Sequence, residues 1–352
     1  MTGRGRDRTP PALAGTVGRR LAQLVVVLAG LSLLLFVWVR ALPGGPAEAL
    51  LSSESQRTPE AREAARHAFG LDRPIVAQYR DYVTRLARLD LGESVASRRP
   101  VTSELRRRFP ATIELAGAAL LFSVAGGIPL GFLAARRKDS WLDHLSLGTS
   151  LLAVSVPSFL LAFLLKYVFS VKLGWLPSSG RLDVTRDVDH ATGFYLLDAV
   201  LTLDGAALLD ALRHLVLPAV ALGAAPLAFL ARITRAAMLE VAGEDYVRTA
   251  HAKGVTGPDV DRRHVLRNAV LPLVSVAGLV AGALLSGAAL IEVVFAWGGM
   301  GSLLQQAIAG RDYPVLQGGL LLGALVFVIV NLAVDVAAMA LDPRVRTRIP
   351  AP

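Results

Sequence analysis

The chain has 352 residues, 53% of them hydrophobic, with no cysteine and a formal charge of +9. Without cysteine there are no disulfides, thiolate metal sites or cysteine nucleophiles. The positive charge does not point to nucleic acid. It sits in loops beside apolar runs, as the positive-inside rule requires, and no basic stripe interleaved with aromatics is present.

Several apolar stretches exceed the roughly 20 residues needed to cross a ~30 Å hydrocarbon core. Residues Met1–Arg20 are polar and basic, and Leu21–Leu42 is the first apolar run. It is too long for a signal peptide and lacks a small-residue cleavage site, so it is predicted to be an uncleaved span. Arg40 lies at its outer end, where a long cationic side chain can snorkel to the interface. Gly44–Pro110 is long and polar, with helix-like stretches at Pro59–Phe69 and Pro74–Arg88 and a turn at Leu91-Gly92. Despite its arginines it is placed outside, because the charge rule governs short loops and longer segments translocate largely regardless of charge.

The second span is expected at Thr112–Ala135, with Gly126, Gly127, Pro129 and Gly131 in its inner half. Arg136-Arg137-Lys138 makes a short basic cytoplasmic loop, and Leu145–Ser170 is the third span, carrying Pro157 and Lys166. A mid-bilayer lysine costs roughly 2.5–3.5 kcal/mol on insertion scales, which places Lys166 near the outer interface with Lys172 and Trp175. A second outer loop, Gly174–Arg213, is weakly amphipathic over Phe194–Leu209. The fourth span is His214–Met238, with Pro218 and Pro226, and the fifth is Leu273–Phe295. Gly278, Gly282 and Gly287 in the fifth suit close helix contact. Trp297–Pro314 is a short outer excursion with a glycine-rich turn and a helix at Ser302–Ala309. Val315–Leu341 is the sixth span, ended by Asp342-Pro343 and a basic tail. The expectation is an all-α membrane protein of about six transmembrane helices with both termini cytoplasmic.

Between the fourth and fifth spans, Glu244–Pro272 is basic and punctuated by glycine and proline. Its first half has the signs of a short helix. Glu244 and Asp245 favour the positive N-terminal end, His251 and Lys253 the last turn, and Gly254 a left-handed cap. Tyr246, Val247 and Ala250 fall at helical spacing as an apolar face. Gly257-Pro258 breaks the chain and starts a second helix, in which Leu266, Ala269 and Val270 share a face and Arg262, Arg263 and Arg267 carry charge. Pro272 marks the entry to the next apolar run. A solvated basic loop is the plain alternative, but it gives the apolar face no reason to exist.

Catalytic chemistry finds little footing. None of Lys138, Lys166, Lys172 and Lys253 completes a phosphate-cradling P-loop, so nucleotide-driven work must come from a partner. Ser286-Gly287 lacks the glycine spacing of a serine elbow. The six histidines show no metal-binding spacing, and no cofactor is expected. Glu292 and Asp335 are in-span acids near span ends. An ion relay is one reading; an ion pair or hydrogen bond at interfacial depth is the favoured one, since no chain of acids crosses the midplane.

The string Glu244–Gly254 followed by Arg267-Asn268-Ala269 and Leu271-Pro272 resembles the "EAA" loop of ABC importer permeases, and more closely its dipeptide and oligopeptide branch. Arg248-Thr249-Ala250 stands where the short general motif has E-A-A. Further similarities are Leu42–Ala47, Phe69–Pro74, Gly193-Phe194-Tyr195, Glu292–Trp297, Arg311–Pro314 and Asp342-Pro343-Arg344, with Gly298 where relatives often have proline. The resemblance implies a type I importer permease fold in the plasma membrane of a bacterium. It would be half of a heterodimeric pathway completed by a second homologous permease, with two cytosolic ATPase subunits, an extracytoplasmic binding protein and surrounding lipid. The chain then divides into residues 1–110 (tail, first helix, long outer segment), a core at 111–341 with a coupling loop at 240–272, and a cytoplasmic tail at 342–352. The implied coupling residues are Glu244, Asp245, Tyr246, Arg248, Thr249, Ala250, Lys253, Gly254, Arg267, Asn268, Leu271 and Pro272, with Tyr246 and Ala250 seated in a groove of the ATPase. Substrates of such permeases are di- and oligopeptides, with nickel chelates or glutathione in close relatives. An ion-coupled secondary transporter and a membrane scaffold are the alternatives from other classes.

Overall fold

A computed structural model of the chain describes residues 11–41, 58, 60, 63, 67, 72–141, 143–144, 148, 155–185 and 191–341. Described residues form helices α1 (Pro11–Ala41), α2 (Ile75–Ala87), α3 (Val101–Arg136) and α4 (Ser158–Leu165), the last widening into a π-helical stretch at Lys166–Lys172. Then come α5 (Tyr195–Leu201), α6 (Gly205–Ala242), α7 (Asp245–Ala252), α8 (Gly257–Val260), α9 (Arg267–Val294), α10 (Met300–Ala309) and α11 (Tyr313–Leu341). Five of these, within α1, α3, α6, α9 and α11, are long and apolar enough to cross a membrane. The expected third span lies partly outside the described residues; its second half is α4 and the π-helical stretch. Most of the helix-like stretch expected at Pro59–Phe69 also lies outside them.

The helices overrun the apolar runs that predict them. α3 starts at Val101, not Thr112, and α6 at Gly205, not His214. Prolines do not stop them: Pro110 and Pro129 lie inside α3, Pro218 and Pro226 inside α6, and Pro272 inside α9. Neighbouring helices tolerate such breaks by re-satisfying the freed backbone groups.

The most extensive helix pairing is α3 on α6, and glycine permits it. A Cβ on Gly127 would lie 2.6 Å from the Leu227 carbonyl oxygen, and one on Gly223 would lie 2.8 Å from the Ala119 carbonyl oxygen. Gly131 faces the Ala231 backbone in the same way. Between them, fully buried Ser123 Oγ lies 2.6 Å from the Ala119 carbonyl and 2.9 Å from that of Gly223, so one proton serves both helices. α9 packs across the pair, and Leu115, Leu222, Leu230, Leu284, Ile291 and Phe295 form the shared core. α11 then packs on α9, where Gly278 meets Val334 and Gly282 meets Phe327. α1 packs on α11. Its Val25, Val26, Leu34 and Val37 stay exposed, as a lipid-facing surface requires.

The bundle has two distinct ends. At the basal end α3 finishes, α6 passes into α7, and Arg20 of α1 pairs with Asp335 of α11. At the distal end Lys166 Nζ donates to the Val294 carbonyl at 2.9 Å and lies over the Phe295 ring. Trp175 packs against Phe169 nearby, so the three groups expected at one interface do share an end.

Gly127→Leu overpacks the α3–α6 contact and is expected to cost about 1–3 kcal/mol. The same change at Gly117, which has open space around it, is expected to be tolerated. Thermal unfolding of the two purified variants in one detergent checks the difference.

Candidate functional site

The segment between α6 and α9 is a folded unit at the basal end. Glu244 takes an extended conformation and starts α7; its carbonyl accepts from the Val247 and Arg248 amides at 3.0 and 3.3 Å. Thr249 Oγ1 donates back to the Asp245 carbonyl at 2.9 Å. At the other end the Gly254 amide reaches the His251 carbonyl at 2.9 Å and the Val255 amide reaches that of Ala250 at 3.3 Å. With φ of +79° at Gly254, these two bonds are a Schellman termination, as Gly254 predicts.

The apolar face turns inward. Val247 is 2% exposed and Ala250 7%, and both pack with Met238, Val260, Val265 and Ala269 against the ends of α3 and α6. Tyr246 does not join them and is 43% exposed. This corrects the expectation that Ala250 sits in a partner's groove: its place is filled by its own chain. Asp245, Arg248, Thr249, Lys253 and Gly254 are exposed, like Tyr246. Arg248 and Asp245 approach to 3.7 Å, but both are exposed and the pair contributes little.

The second half differs from its expected form. Gly257-Pro258 does begin a helix, with Thr256 as its entry residue. α8 then continues through a π-helical turn, Asp261–Leu266, into α9 without a break. Pro272 is therefore inside a helix rather than at its start. Asn268 Nδ2 donates to the His264 carbonyl at 2.7 Å, supplying an extra donor where the widened turn alters the backbone pattern. Arg267, Asn268 and Pro272 are exposed, and Leu271 is helical with its side chain outside the described residues.

Two ion pairs invisible in the sequence lock this end. Arg136 Nε of α3 meets Asp261 Oδ2 in the π-helical turn at 2.8 Å. Arg235 of α6 grips Asp143 through Nε at 2.5 Å and Nη2 at 2.6 Å. Asp143 is 2% exposed, and the Arg235 guanidinium bonded to it holds its carboxyl below the usual carboxylate range. The sequence marked Arg136 only as topological charge.

At the distal end the acid Glu292 is fully buried. Its Oε1 accepts from Thr112 Oγ1 at 2.5 Å and its Oε2 from the Ser302 amide at 3.0 Å. Thr112 Oγ1 in turn accepts from the Met300 amide at 2.7 Å. The carboxylate therefore holds the start of α10, which favours negative charge. With Asp335 paired to Arg20, both in-span acids have structural partners, as expected.

Residues 127–347 match the model of the family described as binding-protein-dependent transport system inner membrane component, and residues 15–116 match that family's N-terminal model. The chain is 46% identical over 330 residues to the di/tripeptide transport system permease protein DppB of Pseudomonas aeruginosa, covering 94% of this chain and 98% of that protein. The dipeptide transport system permease protein DppB of Escherichia coli K12 is 42% identical, covering 93% and 97%. The glutathione transport system permease protein GsiC of Escherichia coli O6:H1 is 38% identical, covering 93% and 97%. Among solved structures, a chain of the inward-facing MetNI methionine ABC transporter superposes with a TM-score of 0.51 at 22% identity, covering 68% of this chain and 97% of that one. That likeness is one of fold.

Gly254→Ala places a side chain in open space but at a left-handed backbone, at a cost of about 1–2 kcal/mol. The expected result is a roughly tenfold loss of hydrogen-exchange protection at the Val255 amide, with Gly257→Ala unchanged. The Asp143–Arg235 pair carries a pH signature. Because the folded carboxyl titrates below its unfolded value, its stabilisation is present above that value and is lost as pH falls through the folded one. Asp143→Asn is expected to lower the unfolding temperature at neutral pH and to flatten its decline below about pH 4.

Proposed function

Because the chain belongs to the family of binding-protein-dependent transport system inner membrane components, we propose that its 244–272 segment is the dock for the ATPase of a peptide importer. The chain is a multi-pass membrane permease that works with ATPase and binding-protein components and does not itself hydrolyse ATP. In the proposed assembly a second homologous permease completes the pathway and two ATPase subunits sit at the basal end. That end is cytoplasmic, as are both termini, and a binding protein delivers substrate to the distal end.

One observation carries the docking assignment. The segment spends its apolar side chains on its own bundle and presents Tyr246, Arg248, Lys253 and their neighbours outward on a capped helix. Docking then rests on Tyr246 and the surrounding charges, with Ala250 positioning the helix from beneath. An exposed tyrosine on a short helix that also exposes charged residues suits an interface anchor.

The substrate proposal is di- and tripeptides. It rests on two permeases, a di/tripeptide one and a dipeptide one, that align with this chain along nearly its whole length. Glutathione is the second reading, favoured by the 38% identical glutathione permease. The ion-coupled alternative has no comparable support, since Glu292 and Asp335 are both engaged in structural contacts.

Tyr246→Ala is expected to weaken ATPase docking at least fivefold while leaving the unfolding temperature unchanged. Gly254→Val, which strains the cap, is expected to reduce both copurifying ATPase and uptake. Copurification of the complex and ATP-driven peptide uptake in proteoliposomes check both. If both variants retain their ATPases and transport at the normal rate, the docking assignment fails.

A further inference from the structure

At the distal end, walled by α1, α2, residues 90–100 and the start of α11, lies a cleft of 810 Å³, within the size range of small-ligand sites. Arg40, at the end of α1, is half-buried on its wall, and its guanidinium lies over the Phe36 ring with 3.4 Å to the centroid. Among the described residues its hydrogen bonds go to neutral acceptors. Nε and Nη2 donate to Gln78 Oε1 at 3.2 and 2.7 Å, and Nη1 donates to the Phe36 carbonyl at 3.2 Å. Among the described residues no carboxylate lies within ion-pair distance of Arg40. Among the described residues that half-buried charge has no counter-ion, a costly arrangement that a bound anion would relieve.

The neighbouring groups are arranged to receive one. The Tyr82 ring packs 5.7 Å from that of Phe36, and its hydroxyl is buried without a hydrogen-bond partner. Burial pushes that hydroxyl up to about 12, so it remains a proton donor throughout the physiological range. Arg85, one turn further along α2, also lines the cleft and acts on the same hydroxyl. Two acids on the lining are engaged elsewhere: Asp81 by Arg73 at 3.3 Å, and Asp90 by the Gly92 amide at 2.9 Å. The third, Glu93, is bridged to Pro100 through its backbone and its side chain is exposed to solvent.

The surroundings identify the source of the anion. Leu34, Val37 and Trp38 of α1 are exposed on a membrane-crossing helix, and Ile75, Val76 and Val83 of the adjoining α2 are exposed as well. A surface of this kind at the end of a span lies at the headgroup level, with α2 as an interfacial helix. We propose that the α1–α2 cleft binds the phosphate headgroup of an anionic membrane phospholipid through Arg40, Arg85 and the Tyr82 hydroxyl. The acyl chains run along the exposed apolar faces of α1 and α2. The bound lipid fixes the otherwise loosely packed α2 against the bundle.

The test uses the complete importer in phosphatidylcholine nanodiscs containing trace spin-labelled phosphatidylglycerol. A saturable, motionally restricted population is expected above the annular background, displaced by unlabelled phosphatidylglycerol and not by inorganic phosphate or dipeptide. Arg40→Gln is expected to weaken it about tenfold or more. Tyr82→Phe, which keeps the ring packing, is expected to weaken it less, and Arg88→Gln, off the lining, not at all. The proposal is overturned if Arg40→Gln and Tyr82→Phe both match the wild type. It is equally overturned if phosphate or dipeptide displaces the label, or if Arg88→Gln has the same effect as Arg40→Gln.

Discussion

The fold depends on letting two backbones touch. α3 and α6 meet through Gly127, Gly131 and Gly223, with Ser123 bonded to both, so their axes come closer than larger side chains would permit. In a membrane this is a strong basis for association, because lipid tails remove the hydrophobic drive between helices and leave packing and hydrogen bonds to act. The same pair then organises both ends. At the distal end Glu114 of α3 bonds Arg181 Nη2 at 2.5 Å and the Leu196 amide at 2.8 Å, which holds the segment leading into α6. At the basal end Arg136 and Arg235 extend the two helices into ion pairs with Asp261 and Asp143. One rigid contact thus has a polar fastening at each end.

The basal unit is built on that contact. Val247, Ala250, Val260, Val265 and Ala269 cover the ends of α3 and α6, so the segment rides on them as part of the same body. An apolar cluster under a short helix also solves a local problem. Eight residues are too few for a helix to be stable alone in water, so α7 needs tertiary packing as well as its Schellman end. The residues that anchor the helix are therefore distinct from those it presents outward.

Much of this was legible in the sequence, and what was not has physical reasons. The apolar runs marked five described spans, and Gly254 marked its own left-handed turn because a short amphipathic stretch ended there. Periodicity groups Tyr246, Val247 and Ala250 on one side of α7, and only the last two are buried there. It could not say whether the covering body was a partner or the chain itself, because spacing carries no record of what lies opposite. Helix starts were missed at Val101 and Gly205 because hydropathy detects the bilayer, whereas a helix can run on beyond it. The π-helical turn at Asp261–Leu266 has no compositional mark, and reading Pro272 as a boundary hid the continuity into α9. Arg235 and Asp143 are 92 positions apart, and only folding brings them together. The depth of Glu292 near a span end argues for an ion pair or hydrogen bond over a relay, and the structure shows the hydrogen bond.

That hidden continuity bears most on mechanism. From Gly257 to Val294 the chain is one helical run through the π-helical turn, on the order of 50 Å long at 1.5 Å per residue. Its basal end is tied to α3 by Asp261, and near its distal end Glu292 holds the start of α10. A partner gripping the proposed dock would therefore pull on a rod whose other end positions a distal element. Swinging a two-state pathway from 99:1 to 1:99 takes roughly 5.5 kcal/mol of differential binding. Such energy reaches the far side only if little is absorbed in bending. A break at Pro272 would have formed a hinge at the entry to the bundle. The helix instead runs through it, and compliance is confined to the hydrogen bond missing at Pro272 and to the π-helical turn, which Arg136–Asp261 and the Asn268–His264 contact brace.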